Sequence, residues 1–233
     1  MANALAHYRS HESTYDQIAD ELQRVRNTFE SADRFTQKVM LFDSTVYAVM
    51  SVQNSIDMLR RAFRTYGSAE TWSTVREAFK GLNYGNNKFD YCRDNFETIF
   101  SKTGDRIIDE LVNGSPWKSV AIMVDELMGV SWIKAPFVGC MLGITELICI
   151  DTNVAQQVPG TKAKGYKSAE EYQEAVQMVR DEFPELNNML STFMLQWVVF
   201  DANRDDGVAR HEEWFNHILP GSSFGRQTGL DAF

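Results

Sequence analysis

Apolar residues recur every three or four positions along most of the chain, and this spacing limits the folds open to it. The first clear example is a stripe made by Tyr15, Ile18, Leu22, Val25 and Phe29. This period is that of an amphipathic helix, and similar stripes follow through the chain. No segment shows the alternation of apolar and polar residues that is typical of a half-buried strand. The sequence therefore predicts an all-α protein of about ten helices.

The composition indicates an ordered protein without covalent cross-links. A chain of 233 residues with 44% hydrophobic residues can bury a core as one domain or as two small lobes. Its three cysteines, Cys92, Cys140 and Cys149, are irregularly spaced and form no CxxC pair. A disulfide framework and a zinc ribbon are therefore both disfavoured. Together with the absence of a signal-like start, this leads us to expect a cytoplasmic protein.

The longest nearly apolar stretch, 137–150, contains Glu146 and is too short to span a bilayer, so we expect no membrane association. The formal net charge of −9 disfavours a protein whose main task is non-specific nucleic-acid binding, because such binding needs many cations at phosphates. A local basic footprint stays possible. The middle of the chain is more basic and carries Lys134, Lys162, Lys164 and Lys167.

The most informative segment runs from Leu127 to Asp151. Gly129 is expected to end one helix, and a second helix is expected to start near Ser131 after a tight turn. Backbone N–H groups at such a turn point outward and suit a phosphate. An apolar run then ends at a single carboxylate, Asp151, which alone would be interpreted as a helix N-cap.

The combination of these motifs resembles the helix-hairpin-helix–GPD superfamily of DNA glycosylases, of the endonuclease III and adenine-glycosylase type. Leu127-Met-Gly-Val-Ser131 is similar to the hairpin of that family, and Asp151-Thr-Asn-Val154 is similar to the segment that carries its catalytic aspartate. The spacing between the two also matches. Upstream, 47–55 resembles an apolar helix that ends in Ser-x-Gln, and 84–89 resembles a later turn that opens a helix. The resemblance covers about residues 35–200.

The resemblance implies a two-lobed fold. One helical lobe, 34–143, would contain the helix-hairpin-helix, and both chain ends, 1–33 and 144–219, would form the second lobe. Residues 220–233 are expected to be a loose tail.

The resemblance also implies an activity and a partner. A DNA glycosylase flips a damaged or modified base out of duplex DNA and hydrolyses its glycosidic bond, which leaves an abasic site. Asp151 would be the catalytic carboxylate, next to the hydrogen-bonding residues Thr152 and Asn153. We expect a monomer that acts on duplex DNA. The base that is excised, whether oxidised, alkylated, deaminated or hypermodified, does not follow from the sequence.

Several further residues would contact DNA if the resemblance holds. Gln53 and Asn54 stand at the position of the wedge that fills the vacated space, although a polar helix terminus explains them equally well. Asn86 and Asn87 stand at a second insertion turn, for which a solvated turn is the alternative. The phosphate-binding segment of the hairpin comprises Gly129, Val130, Ser131, Trp132 and Lys134. Packing is the alternative role for Trp132.

Departures from the family pattern bear on the mechanism. Met128 and Ser131 replace the proline and the second glycine of the hairpin. Ile133 stands where bifunctional members carry a Schiff-base lysine, and Lys134 lies one residue further, about 100° around a helix. We therefore expect a monofunctional enzyme without lyase activity. No cysteine follows Cys149, so we expect no iron–sulfur cluster and no other cofactor.

Three other interpretations stay open. Residues 201–212 resemble a calcium loop, with Asp201, Asn203, Asp205 and Glu212 at ligand positions, but Asp206 replaces the glycine of its sharp turn. We expect a solvated acidic turn there and no metal. The main alternative to an enzyme is a non-catalytic helix-hairpin-helix DNA-binding module, which would tolerate loss of the Asp151 charge. The third is an unrelated all-α interaction protein without DNA affinity.

Overall fold

The computed structural model describes residues 2–51 and 53–204, and within them every regular element is a helix. The prediction of an all-α fold is confirmed. The described helices are α1 (Ala2–Ser10), α2 (Glu12–Ser31), α3 (Arg34–Ser51), α4 (Ile56–Gly67), α5 (Trp72–Phe79), α6 (Gly85–Ile99), α7 (Lys102–Val112), α8 (Pro116–Glu126), α9 (Lys134–Met141), α10 (Thr152–Ala155), α11 (Ala169–Glu182), α12 (Pro184–Asn187) and α13 (Thr192–Asp201).

Side-chain caps fix several helix starts at the residues that the sequence suggests. The hydroxyl of Ser168 accepts a hydrogen bond from the backbone N–H of Glu171 and opens α11, as the Ser-x-x-Glu pattern predicts. Thr71 and Thr74 form a reciprocal capping box at α5. Because these residues satisfy N–H groups that lack partners in the first turn, each helix begins at a defined residue.

Helix α3 lies at the centre of the fold and is buried from Leu41 to Met50. It packs against α2, α4, α6, α7 and α9. Consecutive helices from α4 to α9 also contact one another, and α4 and α5 form a closely packed pair. Elsewhere α13 contacts α1, α10, α11 and α12, and α11 also reaches α8. The lobe bounds deduced from the sequence stay a prediction, and residues 220–233 lie outside the described part of the chain.

Among the residues that the structure describes, two carboxylates are buried, and each accepts a hydrogen bond from a tyrosine hydroxyl. Asp43 accepts from Tyr66 and Asp201 accepts from Tyr15, both at 2.7 Å. Asp201 is only 1% exposed, so the first residue of the calcium-loop-like segment belongs to the core and not to a solvated turn. Residues 205–212 of that segment lie outside the described residues.

No described helix is both long and apolar enough to cross a membrane. Over 2–51 and 53–204, no group of three or more acidic, histidine or cysteine side chains is arranged to hold a metal ion.

Candidate functional site

The segment between α8 and α9 forms the tight turn that the sequence predicts. Gly129 has φ +70°, a conformation that side chains disfavour, and a Cβ there would lie 2.5 Å from Cδ2 of Tyr91. Helix α9 begins at Lys134 and not near Ser131, so the predicted start is three residues early. The carbonyl of Ser131 accepts a hydrogen bond from the N–H of Ala135 at 2.8 Å, which ties the turn to the start of α9. The turn is therefore longer than the sequence predicts.

Helix α6 holds this turn through a buried asparagine. Nδ2 of Asn95 donates to the carbonyl of Met128 at 3.0 Å, and Oδ1 of Asn95 accepts from the N–H of Met128 at 2.7 Å. Both polar groups of the Met128 backbone are thereby fixed. Asn95 is not among the site residues expected from the sequence, although a polar residue on the apolar stripe that contains Cys92 and Ile99 is a signal for such a role.

The side chain of Lys134, the first residue of α9, folds back onto the turn. Its Nζ donates to the carbonyl of Gly129 at 2.6 Å, and burial lowers the pKa of Lys134. Lys88 of α6 is 5% exposed, with its Nζ 3.4 Å from the carbonyl of Met50. Burial, and then the nearby charge of Lys134, lowers the pKa of Lys88 to about 8. Two amines therefore lie between the hairpin and the end of α3.

The two turns that resemble insertion elements are neighbours. Nδ2 of Asn83 donates to the carbonyl of Gln53 at 2.5 Å, and the N–H of Asn83 donates to Oδ1 of Asn54 at 2.9 Å. Gln53 and Tyr84 both have φ of 59°, which is unusual for residues with a side chain. Such a conformation costs roughly 1–2 kcal/mol and is often found at functional positions. Both side chains are exposed, and Tyr84 is 70% exposed.

The structure gives Asn54 a different role from the predicted DNA contact. Asn54 is 6% exposed, and its Nδ2 donates to the carbonyl of Met50 at 2.6 Å. Because α3 ends here, its last carbonyls need donors, and Asn54 supplies one while joining the two turns. Asn86 and Asn87 are exposed in the first turn of α6. The sequence pattern points to these two asparagines and not to Tyr84, the exposed aromatic residue two positions before Asn86.

Asp151 is the N-cap of α10, as the simplest interpretation of the sequence predicts. Its Oδ1 accepts hydrogen bonds from the N–H groups of Asn153 and Val154, at 2.9 and 3.1 Å. Its Oδ2 accepts from Nδ2 of Asn153 at 3.0 Å. Asp151 and Asn153 are half-buried, and Thr152 is exposed. The carboxylate is therefore held in one orientation by three donors, and this geometry suits both capping and catalysis.

Tyr172 of α11 fixes the backbone that leads into Asp151. Its hydroxyl accepts from the N–H of Ile150 at 2.9 Å and donates to the carbonyl of Ile148 at 3.0 Å. Its ring is fully buried. Trp132 of the hairpin stacks on it, with ring centroids 6.4 Å apart. Tyr172 thus connects the hairpin with the aspartate segment, and the half-buried Trp132 takes part in packing.

One face of α6 sets the distance between the insertion turns and the hairpin. Tyr84, Lys88, Tyr91 and Asn95 follow one another at intervals of four, three and four residues. A rise of 1.5 Å per residue places the first and last of them about 16 Å apart along one stripe. The structure therefore brings the Gln53 and Tyr84 turns and the hairpin to the same helix.

Comparison with known proteins supports the fold. No protein-family profile and no curated protein matches this chain. Among solved structures, the chain is similar to the 8-oxoguanine DNA glycosylase of Thermotoga maritima, with a TM-score of 0.64 and 15% sequence identity over 84% of this chain and 93% of that chain. At this identity the likeness concerns the fold. The chain therefore has the all-α fold of that DNA glycosylase, which is the fold that the hairpin and aspartate motifs predict.

Proposed function

We propose that this protein is a monofunctional DNA glycosylase of base excision repair, which flips out a damaged or modified base and hydrolyses its glycosidic bond. This proposal rests on one observation: the fold contains both a glycine turn that Asn95 holds and the oriented carboxylate of Asp151. The likeness in fold to the Thermotoga maritima glycosylase supports it.

Asp151 supplies the chemistry in this proposal. Cleavage of the C–N bond builds positive charge on the sugar, and a fixed carboxylate close to that charge lowers the barrier. The three donors from Asn153 and Val154 hold the carboxylate before the substrate arrives. The same group can activate the attacking water.

The hairpin positions the duplex. Backbone N–H groups of Gly129 and Ser131 would bind a phosphate, which sets register without reading sequence. The N–H of Val130 instead donates to the carbonyl of Leu127 at 3.3 Å and closes the turn. Lys134 would keep the turn in the shape that binds the phosphate, because its amine donates a hydrogen bond to the carbonyl of Gly129. Thr152, beside the carboxylate, would contact the DNA at the reacting nucleotide.

Gln53 and Tyr84 are the proposed insertion pair. Unstacking a base costs a few kcal/mol, and a side chain that enters the vacated space helps to offset this cost. Both side chains are exposed on turns that Asn83 joins. Asn86 and Asn87 would contact the backbone at the rim of the opened site.

The geometry of the amines favours hydrolysis over imine formation. Ile133 offers no amine, Lys134 is bonded within the hairpin, and the buried Lys88 contacts the carbonyl of Met50. The protein should therefore leave an intact abasic site. Borohydride trapping of a protein–DNA adduct that Lys134→Ala or Lys88→Met abolishes would contradict this part of the proposal.

A panel of duplexes tests the proposal, each with one defined lesion or modified base. The first is 8-oxoguanine, the base named for the Thermotoga maritima protein. Free bases are identified by mass spectrometry, and abasic sites by strand breakage with and without alkali. Breakage only after alkali supports a monofunctional enzyme. No released base from any duplex, with DNA binding intact, contradicts the proposed function.

A non-catalytic DNA-binding module is the second candidate. Asp151 caps α10, and this structural role alone would explain the residue in a module that has no catalytic activity. Asparagine is as good an N-cap as aspartate, so Asp151→Asn removes the charge and keeps the cap. Binding that is unchanged in this variant, without base release by the wild-type protein, favours the module. Asp20→Asn on the exposed face of α2 is the matched control.

A further inference from the structure

A groove of 510 Å³ lies beside the hairpin. One wall is formed by hairpin residues 130–133, and the other by the loop 164–167 that precedes α11. The aromatic rings of Trp132 and Tyr166 contribute to its lining, and Lys164 and Lys167 flank it. The hairpin that is proposed to bind a phosphate therefore also forms part of this groove.

The loop has a defined conformation. The N–H of Lys162 donates to the hydroxyl of Tyr166 at 2.9 Å, and the N–H of Lys167 donates to Oε2 of Glu171 at 2.7 Å. Tyr166 packs edge-on against Tyr172, with ring centroids 4.7 Å apart. The loop is therefore fixed to the same tyrosine that supports Trp132 and the backbone before Asp151.

The charges of the loop are not all neutralised. Lys162 pairs with Oε1 of Glu171 at 2.5 Å, and this contact lowers the pKa of Glu171. Lys164 and Lys167 are exposed and form no ion pair with any carboxylate of the described residues. Two exposed cations on a defined loop stand out in a chain of net charge −9. Their positive charge complements a polyanion.

We propose that this groove binds the DNA backbone, with Lys164 and Lys167 each contacting a phosphate next to the one held by the hairpin. This inference rests on the proposed function and extends its DNA-binding surface. It also accounts for how an acidic protein would hold DNA: a short basic track replaces an overall positive charge. The contacts would set position and affinity, not sequence preference.

The salt dependence of duplex binding tests this proposal. Affinity of the full-length protein for an undamaged duplex is measured by fluorescence anisotropy at several salt concentrations. Each phosphate contact contributes about 0.9 to the slope of log K against log salt concentration. K164Q/K167Q should therefore reduce the magnitude of the slope by about 2, with weaker binding to every sequence alike. K164R/K167R should restore the wild-type slope.

Lys118→Gln is the matched control, because Lys118 is exposed in the first turn of α8, at the end away from the hairpin. Its slope should equal that of the wild type. Equal slopes for K164Q/K167Q and the wild type would overturn the proposal, as would an equal change in Lys118→Gln. A complete lack of DNA affinity at low salt would overturn it too.

Base release separates this proposal from the proposed function. If DNA does not bind in the groove but the protein is a glycosylase, K164Q/K167Q keeps the wild-type slope and base release still depends on Asp151. If DNA binds in the groove but the protein is not a glycosylase, the slope changes as expected and no duplex of the lesion panel loses a base.

Discussion

The hydroxyl of Tyr172 accepts a hydrogen bond of 2.9 Å from the backbone N–H of Ile150, the residue directly before Asp151. The same hydroxyl donates to the carbonyl of Ile148. A side chain of α11 therefore satisfies two backbone groups of a buried segment that lies outside any helix. The position of the carboxylate depends on this contact as well as on its own cap.

Tyr172→Phe removes this hydroxyl and leaves the two backbone groups without their partner. We expect a loss of about 1–3 kcal/mol in the free energy of unfolding, measured with urea. The single-turnover rate of base release should fall, while affinity for undamaged duplex stays close to that of the wild type. Tyr66→Phe is the control, since it removes another buried tyrosine hydroxyl, one that donates to Asp43 of α3. Equal release rates in Tyr172→Phe and wild type would contradict the positioning role.

Gly129→Ala should disrupt the hairpin. The substitution strains a residue at φ +70° and forces a contact with the Tyr91 ring, so we expect at least about 1–2 kcal/mol of destabilisation and weaker duplex binding. Gly67→Ala, where a Cβ meets nothing within 4 Å, should leave both quantities nearly unchanged. Duplex affinity that Gly129→Ala leaves intact would argue against a phosphate contact at this turn.

Tyr84→Gly separates base extrusion from chemistry. Glycine adopts the left-handed conformation freely, so stability should be kept or slightly raised. Base release from duplex DNA should slow, because no side chain fills the vacated space, whereas release from a single-stranded substrate should change little. Met189→Ala removes another exposed apolar side chain and serves as the control. An equal decrease in the rate of base release from the single-stranded substrate would show that Tyr84 does not act in base extrusion.

Lys88 should make stability depend on pH above neutrality. Its pKa is about 8 in the folded protein, against 10.5 for an ordinary lysine, so the unfolded chain binds more protons between these values. Stability contributed by this group should therefore rise as pH increases from about 8 to about 10.5, by on the order of 3 kcal/mol. Lys88→Met should flatten this rise in urea titrations. A rise of the same size in the variant would assign it to other groups.

Much of the candidate site could be predicted because its signals are local. Gly129 ends a periodic segment, Ser168 begins one, and Asp151 closes an apolar run, and each of these signals lies within a few residues. The capping role of Asp151 and the tight turn at Gly129 are both present in the structure.

Other features depend on contacts between distant parts of the chain. Asn95 meets Met128 across 33 residues, and Tyr172 meets Ile150 across 22. Asn54 meets the N–H of Asn83 across 29 residues, and Lys88 meets the carbonyl of Met50 across 38. No spacing within the sequence specifies these partners.

The most direct test of the catalytic assignment is the single-turnover release of a base by Asp151→Asn, on the best substrate of the lesion panel and with enzyme in excess. The variant keeps the cap of α10, so folding and duplex affinity should match those of the wild type. We predict that release falls by roughly 100-fold or more, as expected when a charge that stabilises the transition state is lost. Release at the wild-type rate by a fully bound variant would contradict the assignment of Asp151.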